Sequence, residues 1–205
     1  MAGYSDVKAV TITADTVALD ADGISVAAGV GNNAALTIGG ALASGGAVAL
    51  SHGRIVTILS AGNDAAKSFT VVGTDINGDS QTESITGANA GTATGAVFFL
   101  SIASITAVGN PAGNVSAGVN ASAADVIFSG RSRLKGIYLT STATAGTVDF
   151  LNNSPSGTSI MGLSSVGDAD ATRDVVIPEE GVLFTDGIFI EYTVSTFLTM
   201  TVFHA

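Results

Sequence analysis

Short segments in which apolar and polar residues alternate recur along nearly the whole chain. Arg54–Ser60, Ser68–Val72 and Leu134–Thr140 are examples, and clusters of Gly, Asn, Asp and Ser separate such segments. A period of two, with many β-branched residues and frequent turn residues, is typical of antiparallel sheets. No stretch of ten or more residues has the spacing of an amphipathic helix. The sequence therefore predicts an all-β protein.

The chain has 205 residues, enough for one large β domain or two small ones. Three zones differ in their patterns. Residues 1–50 carry weak strands and a Gly/Ala/Ser stretch, whereas residues 51–128 and 129–205 each contain several stronger strand signals. We expect two small antiparallel β-sandwiches, Ig-like or jelly-roll-like, preceded by an extended N-terminal arm.

Three turns are predicted to close hairpins. Ala61–Asp64 follows one strand and precedes the next, and Asn77-Gly78 is a typical type I′ pair, in which both central residues have positive φ. Ser195-Thr196 separates the last two strand segments, which we expect to pair with each other.

Composition limits the classes of partner. Hydrophobic residues make up 46% of the chain and aromatic residues only 6%, because much of the apolar content is alanine. An uncharged surface of small residues favours self-association or assembly. The net charge of −10 argues against a nucleic-acid partner, which would require clustered Lys and Arg. Cysteine is absent, so disulfides cannot contribute to stability.

The segment Ile24–Leu50 is uncharged and long enough to raise the question of a membrane span. It contains two asparagines and many glycines, and most of its apolar residues are alanines. Helix propensity and burial gain are both poor, which favours strands and loops packed in an assembly over a spanning helix or a membrane-active segment. Residues 1–8 lack the basic and apolar regions of a secretion signal, and we expect no membrane partner.

Few side chains offer catalytic or metal-binding chemistry. His52 and His204 lack the spacing of a zinc site, and the sequence has no Gly-x-Ser-x-Gly elbow for a serine nucleophile. We therefore expect no catalytic residue, no cofactor, no metal and no enzymatic activity. Three acidic runs resemble parts of calcium loops but lack the full ligand pattern, which favours plain turns. They are Asp20–Gly23, Asp75–Asp79 and Asp168–Asp174.

Arg131, Arg133 and Lys135 are the one cluster of basic residues. Residues at i, i+2 and i+4 share one side of a strand, so we expect the three cations on one face. Two readings remain open: a solvated strand edge that discourages aggregation, or a contact with a capsid protein or a neighbouring subunit.

Several segments resemble modules of virion structural proteins of tailed phages. The first module matches strand and turn motifs across residues 54–119, and the second matches an "iP..Gi.F.dGi.v" signature within residues 134–203. The matching segments are Arg54–Asp64, Phe69–Gly78, Gln81–Gly91, Ser104–Val108, Ala112–Val115, Gly136–Leu139, Thr144–Val148, Ile177–Phe184, Asp186–Ile190 and Thr201–Phe203.

The resemblance implies a virion component built of small β-sandwiches. The first expectation is a capsid decoration (cement) protein on the head surface, which bridges the major capsid protein subunits and associates with copies of itself. The alternative is a tail, fibre or head–tail junction component that binds a receptor or a glycan. Exposed aromatic rings would favour the alternative, and its tyrosine candidates are Tyr4, Tyr138 and Tyr192.

Overall fold

The computed structural model describes residues 6–205, and this part of the chain is all-β, without a helix. It accordingly offers no helical segment capable of crossing a membrane. Its strands are β1 (Lys8–Thr13), β2 (Asp20–Gly29), β3 (Ala43–Ser44), β4 (Ala47–Ser60), β5 (Ser68–Thr74), β6 (Ser80–Thr86), β7 (Thr92–Val108), β8 (Asn114–Phe128), β9 (Ser132–Ser141), β10 (Ala145–Asn152), β11 (Thr158–Val166), β12 (Thr172–Val176), β13 (Val182–Phe184), β14 (Ile188–Thr193) and β15 (Phe197–His204).

The chain forms two compact units. Unit 1 combines the residues before Val17 with Ala124–Ala205, and unit 2 is Val17–Ala123. The polypeptide leaves unit 1 after β1, builds all of unit 2 and then returns to unit 1 through the last residues of β8. Both units are antiparallel, as the period-two pattern predicts.

Unit 2 is built around β7, which has β4 on one side and β5 on the other. The strand order is β8-β4-β7-β5-β6, with β2 on β8 and β3 on β4. The β4–β7 register shifts twice, between Ala49 and Arg54 and between Ile55 and Thr57. Side chains of β6 reach back to the first half of β7: Gln81 Nε2 donates to the Phe98 carbonyl at 2.8 Å. Buried side chains of these strands form one core.

The core of unit 2 is aliphatic and aromatic. Its fully buried members on β4 and β5 come from alternate positions, as expected for strands with one face inward. On β7, by contrast, Phe99, Ile102 and Ile105 are three residues apart, and that strand carries register shifts against both neighbours. They include Val56, Ile58, Phe69, Val71, Phe99, Ile102 and Ile105.

Unit 1 is a sandwich of two antiparallel sheets. The first sheet has the order β1-β15-β9-β12, with β13 also on β9, and the second has the order β11-β10-β14-β8, of which β8 belongs to unit 1 from Ala124. The rings of Tyr192 on β14 and Phe197 on β15 pack with centroids 4.9 Å apart. Other buried side chains fill the same interior: Leu134, Ile137, Leu139, Val148, Phe150, Phe184, Ile188, Ile190, Met200 and Val202.

The N-terminal zone is not a separate arm where the structure describes it. β1 pairs with β15 in unit 1, and Ile24 and Leu36 are buried in the core of unit 2. Within the Gly/Ala stretch Gly40 serves close packing, because a Cβ there would lie 2.3 Å from the Asp22 carbonyl oxygen, whereas Gly45 and Gly46 have positive φ and open space around them. The three zones drawn from the sequence are thus replaced by two units whose boundaries fall near residues 16 and 123.

Two of the three hairpins expected from the sequence are not formed. β14 and β15 lie in different sheets, because the Ser195-Thr196 turn carries the chain from one layer of the sandwich to the other. Ala61–Asp64 likewise joins β4 to β5, which are separated by β7. Alternation shows where strands are but does not determine which strands pair.

The β5–β6 hairpin does form, with a turn different from the predicted type. Gly78 has a φ of 87°, whereas Asn77 is not among the residues with positive φ. Asp75 Oδ1 accepts the amides of Asn77 at 2.8 Å and Asp79 at 2.9 Å, and the Gly78 amide donates to the Asp75 carbonyl. The side chain thereby stabilises a longer right-handed turn over residues 75–79 in place of type I′.

Candidate functional site

Arg133 and Lys135 lie on the same side of β9 and contact one turn of unit 1. Arg133 Nη2 is 3.2 Å from the Glu180 carboxylate, and its Nη1 donates to the Gly181 carbonyl at 3.3 Å. Lys135 Nζ donates to the Glu179 carbonyl at 2.7 Å. Both cations therefore hold the turn at residues 178–181.

That turn interrupts the edge of the first sheet. β12 and β13 pair in succession with the same side of β9, and Pro178 lies between them. Proline has no amide hydrogen to donate, so the edge pairing is interrupted there. The turn is closed by the Gly181 amide, which donates to the Pro178 carbonyl.

Arg131 is placed differently, since it precedes β9 and lines a cleft of about 250 Å³. Lys8 at the start of β1 lies on the same cleft, where it pairs in register with His204 of β15. Both cations are exposed, and neither forms an ion pair within residues 6–205. The other side chains of this cation cleft are Asp6, Phe128, Ser132 and His204.

The floor of the cation cleft is a buried Ser132–His204 pair. Ser132 Oγ lies 3.1 Å from His204 Nδ1 and also donates to the Ala205 carbonyl at 3.1 Å. Because the Ser132 hydroxyl hydrogen is donated to the Ala205 carbonyl, its oxygen accepts from His204. The network therefore assigns the imidazole proton of His204 to Nδ1. The Phe128 ring packs against the imidazole at a centroid distance of 4.9 Å. Burial, and then the charge of Lys8, lowers the pKa of His204 below its usual value.

This geometry does not activate Ser132 as a nucleophile. A serine nucleophile gives its proton to an unprotonated imidazole nitrogen that a third group holds in place. Here the hydroxyl donates to Ala205, whose amide and carbonyl also pair with Arg133 of β9. The pair fixes the end of β15 and leaves the neighbouring cations as the groups available to a ligand.

The outer face of the first sheet is exposed and rich in threonine. In register, Thr11 of β1 lies beside Thr201 of β15, which lies beside Tyr138 of β9, and their threonine hydroxyls are 2.9 Å apart. Phe203 of β15 lies beside Gly136 of β9 on the same face. We call this surface the threonine face; it comprises Ala9, Thr11, Thr13, Gly136, Tyr138, Thr140, Thr172, Asp174, Val176, Thr199, Thr201 and Phe203.

The threonine face presents large apolar groups to solvent. Val176 is 77% exposed, Tyr138 44% and Phe203 37%. Asp174 is its charged member, in a chain of net charge −10. A flat and nearly uncharged surface of this kind is suited to contact with another protein.

Arg54 is a structural residue that the sequence pattern did not distinguish from its strand neighbours. It is fully buried in unit 2 and donates to the backbone carbonyls of Val17 at 3.0 Å, Ser122 at 3.1 Å and Asn120. These acceptors belong to the first and last residues of the unit. Arg54 thus ties the two chain ends of unit 2 together.

Asp64 performs a similar task in the loop after β4. Its carboxylate is fully buried, and Oδ1 accepts the Ala112 amide at 2.7 Å. The neighbouring backbone is close, since a Cβ on Gly62 would overlap the Ala112 carbonyl. Asp64 therefore links the loop after β4 to the loop before β8. Its burial and its hydrogen bond indicate this role, which the sequence pattern did not.

The acidic runs do not assemble a cation cage in the part of the chain that is described. No group of three or more His, Cys, Asp or Glu side chains with metal-binding geometry is found between residues 6 and 205. Asp75 is occupied by its own turn, as described above, and Asp20 Oδ1 accepts the Asp22 amide at 3.2 Å.

The tyrosine candidates for stacking on a sugar differ in their exposure to solvent. Tyr192 is buried in unit 1, accepts the Asp15 amide at 3.1 Å and donates to Asp125 at 3.0 Å. Burial, together with the charge of Asp125, raises the pKa of its hydroxyl above the usual value. Tyr138 is exposed, whereas Tyr4 lies outside the described residues.

Comparison with protein-family models, with curated proteins and with solved structures gives no match to this chain.

Proposed function

We propose that this chain is a capsid decoration (cement) protein of a tailed phage. It would lie on the head surface and bind across junctions between major capsid protein subunits and against copies of itself. Separation of capsid subunits must then also break these added contacts, which stabilises the shell without any catalysis. Contacts of about 800 Å² per partner, repeated around a shell, are sufficient for such a role.

The observation that carries the proposal is the threonine face. Val176, Tyr138 and Phe203 are exposed on a flat sheet that bears little charge. Large exposed apolar surfaces on β proteins mark contacts with other proteins. Residues 54–119 and 134–203 resemble modules of virion proteins, and the phage capsid is therefore the assembly that we propose for this contact.

A charge placed on the threonine face tests this role. Val176→Glu should leave the fold intact, because the side chain is largely exposed, and should abolish co-sedimentation with purified heads that lack the chain. Val166→Glu is the matched control, since Val166 is 53% exposed on β11 of the same unit. Wild-type protein that fails to bind heads, or equal binding by both variants, would contradict the proposal.

A tail or fibre component that binds glycans is the second candidate, and Tyr138 favours it. The exposed ring has Asp174 and Thr201 as its cross-strand neighbours, so hydrogen-bonding groups flank a surface on which a sugar could stack. Binding to a glycan array that Tyr138→Ala eliminates, together with no binding to heads, would establish this alternative. Tyr138→Phe keeps the ring and should retain glycan binding.

A further inference from the structure

We propose that the cation cleft binds a single carboxylate group, such as an acidic side chain of a protein partner, between Lys8 and Arg131. The inference concerns unit 1 alone and goes beyond the proposed capsid role. It rests on the position, charge and pairing of the side chains that line the cleft.

The two cations approach the cleft from different segments. Lys8 comes from the edge strand β1 and is held opposite His204 by the β1–β15 register. Arg131 comes from the connection between β8 and β9, directly before the buried Ser132. Because Arg133 and Lys135 contact the turn at residues 178–181, Arg131 is the member of the predicted cluster that remains directed to a cleft.

The charge of the cleft matches one negative charge. Among the side chains that line it, Lys8 and Arg131 contribute two positive charges and Asp6 one negative charge, while His204 is neutral near pH 7 because its pKa is lowered. The remaining lining residues are Phe128, Ser132 and Ala205. A guanidinium can bind both oxygens of a carboxylate, and an ammonium adds a further charged donor. A phosphate dianion would be opposed by Asp6 and would exceed the net charge that the cleft offers.

The floor of the cleft is fixed by contacts among its own side chains. Ser132 and His204 are buried and hydrogen-bonded to each other, and the Phe128 ring packs on the imidazole. A carboxylate that enters therefore meets a hydroxyl–imidazole pair and an aromatic ring beside two exposed cations. Partial removal of water by these side chains strengthens the attraction between unlike charges.

The test is an NMR titration of the full chain with acetate, with chloride at matched ionic strength as the reference. We expect saturable shifts, at millimolar concentrations, that centre on the amides of Arg131, Ser132 and Ala205. Arg131→Gln and Lys8→Gln should each weaken acetate binding by about two- to fivefold, the range expected for exposed charge pairs. Asp6→Asn should strengthen it, because a like charge is removed.

Controls and a competing anion make the result decisive. Arg173→Gln on β12 and Lys67→Gln in unit 2 remove the same charge outside the cleft and should leave acetate binding unchanged. Absence of saturable shifts, or equal binding by wild type, Arg131→Gln and Lys8→Gln, would overturn the inference. Tighter binding of inorganic phosphate than of acetate would also overturn it, since the site would then not be selective for a carboxylate.

The two proposals fail independently. Acetate binding by the purified chain requires no capsid, and head binding through the threonine face requires no occupied cleft. A chain that binds heads but not acetate would retain the proposed function and lose this inference.

Discussion

Unit 2 and unit 1 differ in the buried polar side chains that hold their backbones. Unit 2 buries two formally charged residues, Arg54 and Asp64, and directs both at backbone groups of its own loops and chain ends. Unit 1 also buries a carboxylate, Asp15, but the buried side chains that hold its backbone include Tyr192 and His204, both neutral near pH 7, while Lys8 and Arg131 remain exposed.

This difference indicates that the polar side chains of unit 2 serve stability, whereas exposed side chains of unit 1 are available for binding. Burial of a charge is costly unless hydrogen bonds replace its water, so Arg54, with three backbone acceptors, is committed to the fold. Asp64 is held through Oδ1, while its Oδ2 has no hydrogen-bond partner among residues 6–205. Unit 1 keeps exposed cations at the cation cleft and exposed apolar groups on the threonine face. We therefore expect substitutions in unit 2 to act on stability and surface substitutions in unit 1 to act on binding.

The largest effect should come from Arg54. Arg54→Met removes the donor to three backbone carbonyls and leaves them buried, so we expect a loss of about 3–5 kcal/mol in the free energy of unfolding. Urea denaturation followed by circular dichroism measures it. Arg173→Met on β12 serves as the control and should cost less than about 0.5 kcal/mol. Equal unfolding midpoints for Arg54→Met and Arg173→Met would contradict the structural role of Arg54.

A smaller effect is expected for Tyr192. Tyr192→Phe keeps the ring packed on Phe197 but loses the hydrogen bonds to the Asp15 amide and to Asp125, which we expect to cost about 1–2 kcal/mol. The Asp15 amide should also exchange its hydrogen faster in the variant. Unchanged exchange at Asp15 would show that the hydroxyl does not hold the chain there.

The smallest effect is the pH dependence from His204. Because its pKa is lowered in the folded chain, the unfolded chain binds more protons, and stability should decrease as the pH falls below about 6.5. His204→Gln should reduce the dependence of the free energy of unfolding on pH. Urea denaturation at a series of pH values between about 7 and about 5, the range in which histidine titrates, measures it. His52→Gln is the control in unit 2, and a slope that depends only on His52 would contradict the assignment.

The sequence pattern predicted the elements better than their pairing. Alternation follows from one buried and one exposed face, so strands such as β9 were recognisable, and Arg133 and Lys135 do share a side. The pairing of β14 with β10, and not with β15, depends on contacts between distant segments. A turn between two strands carries no information on whether the chain stays in one sheet or crosses to another.

The candidate site was predictable only in part. The basic cluster pointed to residue 131, but Lys8 and His204 join it through the β1–β15 register, which connects opposite ends of the chain. Arg54 looked like an ordinary polar strand position because its acceptors are backbone carbonyls, and these leave no signal in side-chain composition. The N-terminal zone looked weak because small residues such as Gly40 pack closely without a hydrophobic signal.

The most direct test of the central claim is the position and copy number of this chain in purified virions, measured by particle reconstruction and quantitative gel. The capsid decoration proposal predicts many copies distributed over the head, with the threonine face of unit 1 against a neighbouring subunit. A few copies confined to the vertex or the tail, or a threonine face open to solvent, would contradict it.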